Sequence, residues 1–183
     1  MEAISENMGL THPATDTERP VFLHVSILRL ITMSIFSCGM YELYWIYKNW
    51  SYLKIRDRRF IRPFWRAWFG IFYCHSLLET MHSDKELTSD GVPKFAPRLL
   101  ATLWVILTIA AYAMGRDESM TASFVAILMP SYLCFVPVQQ HVNRVNRQIN
   151  PGMNYTKWTK GHIACLIYGL LIWGCILFLL LPE

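Results

Sequence analysis

What the chain lacks narrows its function first. It has no HExxH, no glycine-rich phosphate loop and no serine–histidine–aspartate set, so the common metalloprotease, nucleotide and hydrolase chemistries have no residues to carry them. The five cysteines, Cys38, Cys74, Cys134, Cys165 and Cys175, include no CxxC pair and all lie inside apolar runs. They read as small reduced packing residues, because a disulfide framework needs polar, extracellular spacing. The amino-terminal stretch lacks the basic start, short apolar core and small-residue site of a secretory signal. A separate basic domain is also missing, which argues against nucleic acid as a partner. No motif implies a cofactor or a metal, and the chain is expected to be non-catalytic.

Long apolar runs are present instead. Hydrophobic residues make up 54% of the 183, and they cluster in blocks and not in amphipathic stripes. The expected fold is all-α, a polytopic membrane bundle. A polar, acidic tail over residues 1–22 is expected to be mobile, and residues 23–183 form the membrane domain. Spans are expected at about 25–47, 99–114, 120–138 and 163–181, against the roughly 20 residues that a helix needs to cross a bilayer. Ser26 is placed to cap the first.

The stretch from Tyr41 to Arg66 organises the rest. YELYWIYKNW, a basic run and PFWR place amphipathic rings beside Lys and Arg, as at a membrane–water interface. Lys48, Lys54, Arg56, Arg58, Arg59 and Arg62 stand against a single acid, Asp57, which makes this loop cytoplasmic by the positive-inside rule. Residues 139–160 read as a second basic loop, with Arg144, Arg147, Lys157 and Lys160 and no acid. Both loops are expected to meet anionic lipid headgroups, at about 1 kcal/mol per charge near the surface. The aromatic element at 63–80 opens on Pro63, which suits a first helical position. It holds only about sixteen residues before Glu79, short for a span. If it lies at the interface or re-enters, there are four spans and both basic loops fall on one side; if it crosses, there are five. Charge asymmetry favours four.

YELYWIYKNW, PFWRAWFGIFYC and the later VPVQQHVNRVNRQINPG segment together resemble a family of small bacterial inner-membrane proteins with a domain of unknown function. The resemblance covers most of the chain after about residue 23. It implies a bacterial inner-membrane location and transfers no catalytic residue.

Within the spans, Glu42 and Arg66 draw attention, since ionisable groups at membrane depth are costly and usually paired or functional. By helical rise Glu42 lies roughly 9 Å deeper than Lys48 and Arg66 roughly 6 Å beyond Arg62, so they are expected to form a buried ion pair docking the aromatic element onto the first span. His75, beside Cys74, is a candidate polar site, expected to be hydrogen-bonded to a neighbour because no ligand spacing surrounds it. His141 and His162 are expected to be solvated. Gly161, Cys165 and Gly169 recur every four residues, a face that lets helices approach closely in lipid. An intramolecular bundle is the default use of that face; a membrane-protein partner or homo-oligomer is the other. The functional expectation is a scaffold or accessory subunit that contacts lipid. A small oligomeric transporter or channel using Glu42 and Arg66 is the alternative, and a water-accessible cavity reaching Glu42 would favour it.

Overall fold

A computed structural model describes residues 20–58, 60–88, 95–116, 119, 125, 129–149, 151 and 158–180; within the last helix the side chains of residues 177, 179 and 180 are excluded. Every regular element among the described residues is helical: α1 (Ile27–Phe36), α2 (Met40–Arg56), α3 (Pro63–Trp68), α4 (Gly70–His82), α5 (Lys85–Thr88), α6 (Pro97–Met114), a 3₁₀ turn (Ser131–Phe135), α7 (Val136–Ile149) and α8 (Lys160–Leu180).

The expected continuous span over 25–47 does not form. Ser26 caps α1 by accepting the Arg29 N–H at 3.2 Å, but the helix stops after ten residues. Cys38 (φ 50°) and Gly39 (φ 85°) both take left-handed backbone, which no α-helix passes through. The freed amides are re-satisfied locally: Gly39 N–H reaches the Ser34 carbonyl at 2.9 Å, and the Ser37 hydroxyl accepts the Tyr41 N–H at 2.9 Å. α2 therefore starts anew, with Glu42 in its first turn.

The segment before α1 belongs to the core and not to a tail. Val21, Phe22, Leu23 and Val25 are buried, and the strap they form lies outside any helix, so its amides and carbonyls need partners from elsewhere. Asn146 Oδ1 accepts the Val21 N–H and Asn49 Oδ1 the Leu23 N–H. Gln139, Asn143 and Asn146 donate to the carbonyls of Leu23, Val25 and Phe22. Residues 1–19, where the acidic tail was expected, lie outside the described residues.

This strap also corrects the reading of 139–160 as a loop. Residues 136–149 are helix α7, whose buried face carries Val138, Val142 and Val145 together with Gln139, Asn143 and Asn146. Three amides on an apolar face look like a broken stripe in sequence. Here they take the place of a neighbouring strand.

Trp45, Trp104 and Phe135 centre the core, with ring centroids 4.5 Å apart for Trp45–Phe135 and 5.5 Å for Trp104–Phe135. α4 packs on α6, α3 on α2, and α8 on α1 and α2. Residues 63–80 fall in α3 and α4, 99–114 in α6 and 163–180 in α8. Of the expected span 120–138, residues 131–138 are the 3₁₀ turn and the start of α7, while 120–128, Val125 apart, lie outside the described residues.

Among the described residues one helix, Pro97–Met114, is long and apolar enough to cross a membrane; Ile27–Phe36 and Lys160–Ile176 are apolar but shorter. Large apolar side chains face outward along α6 (Leu99, Leu103, Ile106, Ile109) and α8 (Ile163, Ile167, Leu170, Leu171). On α3 and α4, Phe64, Trp65, Trp68 and Phe72 are each more than half exposed. The interior is mostly apolar, with Glu42, Asn49, Gln139, Asn143, Asn146 and His162 buried within it.

Candidate functional site

Among the described residues Glu42 is a buried acid with no ion-pair partner, whereas the other deeply placed carboxylate, Asp84, pairs with Arg56. One Glu42 oxygen accepts the Trp104 indole N–H and the other accepts the Ser131 hydroxyl at 2.7 Å. Both donors are neutral. The restart of the chain at Gly39 places the carboxylate in the first turn of α2, where the positive end of the helix dipole contributes about 0.3–1 kcal/mol to an acid.

Arg66 is not its partner. The guanidinium lies 4.2 Å above the Trp50 ring and 5.3 Å from that of Tyr73, held by cation–π attraction. No ion pair joins it to Glu42 among the described residues, so the expected pair is corrected to two separate arrangements. Matched depth was a sound inference, but depth does not determine azimuth around a helix. Two indole rings, Trp104 for the acid and Trp50 for the base, supply what each charge was expected to find in the other.

A cavity of about 460 Å³ opens beside the carboxylate. α1 gives Ser34, the helix break gives Cys38 and Gly39, α2 gives Glu42 and Leu43, α6 gives Trp104, Thr108 and Tyr112, and the 3₁₀ turn gives Ser131 and Tyr132. The Ser34 hydroxyl is buried and has no hydrogen-bond partner among the described residues. An unpaired polar atom of this kind costs on the order of 1–3 kcal/mol. Ser34 and Ser131 were not anticipated as site residues. The only available signal was Trp104, the single indole of its run, which needs an acceptor when buried.

The remaining candidates serve structural contacts. His75 Nε2 lies 3.0 Å from Thr102 Oγ1 and ties α4 to α6. His162 is buried, not solvated: Nε2 meets the Tyr41 hydroxyl at 3.0 Å, and Nδ1 accepts the Thr159 N–H at 3.1 Å. His141 bonds the Leu87 carbonyl at 2.8 Å. Gly161 lies against the Tyr44 ring and Gly169 against the ring and carbonyl of Phe36, with Cys165 buried between them.

The basic residues divide. Arg56 is removed from the headgroup set: it pairs with Asp84 and Asp57, and these carboxylates outweigh the lowering effect of burial and hold its pKa above the ordinary value. Lys54, Arg58, Arg62, Arg144, Arg147 and Lys160 are exposed, and Lys48 is half-buried over the Tyr44 ring. Arg59 and Lys157 lie outside the described residues. No group of three or more His, Cys, Asp or Glu side chains is arranged to hold a metal ion among the described residues.

Compared with protein-family models, with curated proteins and with solved structures, the chain matches none.

Proposed function

We propose that the protein is a small helical integral membrane protein that accepts a proton or a monovalent cation at Glu42, acting as a carrier assembled from more than one copy. The observation that carries this reading is a buried carboxylate with no cationic partner among the described residues, lining a cavity large enough for a ligand. A lone charge in a low-dielectric interior is expensive, and a proton or a bound cation removes that cost. Membrane residence is supported by the outward apolar faces of α6 and α8, large exposed apolar surface that a bilayer would cover. α6 measures about 27 Å at 1.5 Å per residue, close to the roughly 30 Å hydrocarbon core. A helical bundle in a bacterial inner membrane completes the proposal, with exposed Arg and Lys at anionic headgroups.

The test is flux into vesicles. Purified full-length protein reconstituted with an internal pH dye should dissipate an imposed proton gradient, and Glu42→Gln should abolish the excess over protein-free vesicles. Equal flux with parent, Glu42→Gln and no protein would reject the carrier. The scaffold reading would then take its place, favoured by the exposed Phe64, Trp65, Trp68 and Phe72 surface of α3 and α4.

A further inference from the structure

Another groove, of about 320 Å³, is lined by α2, α3 and α8 and not by Glu42. α3 and α8 each pack on α2, and each of the three helices turns one face toward the groove. Tyr44 and Tyr47 come from α2, Phe64 and Trp68 from α3, Ala164 and Tyr168 from α8. Each pair is three or four residues apart and so shares a helix face. Every lining side chain is apolar or aromatic, and none is charged.

The directions of the helices collect basic residues at one end of it. Arg66 lies over Trp50, and Gly70 lies against Ile46 and Leu43, so α3 runs back along α2. Gly161 lies against Tyr44 and Gly169 against Phe36, so α8 also runs counter to the order of α1 and α2. The Tyr47 end of the α2 face therefore meets the starts of α3 and α8. Lys48 Nζ stands there, 6.0 Å from the centroid of the Tyr44 ring. Lys160 immediately precedes Gly161, which lies against that same ring. Arg62 is the residue before Pro63, where α3 begins. Lys48 is half-buried, Arg62 and Lys160 are exposed, and no ion pair engages any of them among the described residues.

Resting on the reading of the chain as a membrane protein, we propose that this groove binds one acyl chain of an anionic phospholipid, with the phosphate at the end marked by Lys48, Arg62 and Lys160. The occupant follows from the two ends together. An apolar trough walled by rings takes a hydrocarbon chain, and cations without a counter-acid take an anionic head. A zwitterionic lipid would fill the trough but leave the cations unmatched.

Trp68 lines the groove and is more than half exposed, so its emission reports on what lies there. Full-length protein is reconstituted into phosphatidylcholine vesicles that carry a small mole fraction of brominated-chain phosphatidylglycerol or of brominated-chain phosphatidylcholine. The Trp68 signal is the difference between the parent and Trp68→Phe. The brominated phosphatidylglycerol should quench that signal at mole fractions where the brominated phosphatidylcholine does not. Lys48→Gln and Lys160→Gln should each raise the fraction required about fivefold. Ala164→Leu enlarges an exposed side chain in the groove and leaves every cation in place, so it should abolish the preference. Equal quenching by the two lipids would overturn the proposal. So would an undiminished preference in Ala164→Leu, which would leave surface charge alone as the cause. A second copy covering the groove would leave Trp68 quenched by neither lipid, and would overturn it as well. Protein stripped from membranes by alkaline carbonate would overturn the membrane reading together with the site, whereas membrane-retained protein without lipid preference would overturn the site alone.

Discussion

Asn146 holds Val21 as a partner strand would: its Oδ1 accepts the Val21 N–H at 2.9 Å, and its Nδ2 donates to the next carbonyl along, that of Phe22, at 3.1 Å. One amide on α7 thus satisfies two buried main-chain groups from a segment 125 residues away. Asn146→Ala should leave both unpaired, at roughly 1–3 kcal/mol each. Arg144→Gln, exposed on the same helix, should change stability by less than about 0.5 kcal/mol. Thermal unfolding of the two variants in one detergent checks the contrast; matched midpoints would mean that the strap is held by its apolar side chains alone.

The glycines of α8 are not equivalent. A side chain at Gly169 would run into the ring and carbonyl of Phe36, whereas nothing lies within 4 Å of a Cβ at Gly174. Gly169→Leu should therefore cost about 1–3 kcal/mol or more by overpacking. Gly174→Ala should be neutral or stabilise by up to about 1 kcal/mol through helix propensity. A loss of stability in Gly174→Ala equal to that in Gly169→Leu would show that the helix itself, and not its seat against α1, sets the limit.

Separate sites for Glu42 and Arg66 predict an additive double-mutant cycle. Glu42→Gln with Arg66→Gln should sum to within about 0.5 kcal/mol, whereas Glu42→Gln with Trp104→Phe should show a coupling above that. Chemical unfolding of the six proteins involved decides it. Coupling between Glu42 and Arg66 larger than that between Glu42 and Trp104 would restore the ion pair.

His24, next to the strap's Leu23, has its pKa pushed down to about 4, by burial first and by the Arg147 guanidinium second. Since the folded pKa lies below the ordinary 6.5, the unfolded chain takes up the proton more readily. The contribution is complete above about pH 6.5 and is lost as the pH falls toward 4. Between pH 7.5 and 4.5 the parent should lose more thermal stability than His24→Gln does. Parallel curves for the two proteins would remove His24 from the account.

The helical class and the apolar runs of α6 and α8 were legible because they rest on block hydrophobicity, which survives without tertiary context. So was the short aromatic element, announced by Pro63. The break at Cys38–Gly39 was not: a Ser-Cys-Gly sequence between apolar runs is compatible with an unbroken helix, and only packing selects the left-handed turn. α7 was hidden for a different reason. Its Asn and Gln residues lower the hydrophobicity of the inward face, and their purpose is visible only once the strap they serve is in place. At the site, the acid was identifiable from its cost in an apolar setting, but its partners were not, because an indole and a hydroxyl carry no charge by which to pair them.

The strap sets an order on biosynthesis. Its partners on α7 are translated about 125 residues after it, which at roughly 5–20 residues per second means an interval of about 6–25 s. Through that interval the amides and carbonyls around Val21 and Phe22 must be served by water or by whatever else lies near the ribosome exit. α1 and α2 are complete long before. The strap is therefore among the last parts to reach its native place, and a nascent chain stalled before α7 leaves it unseated.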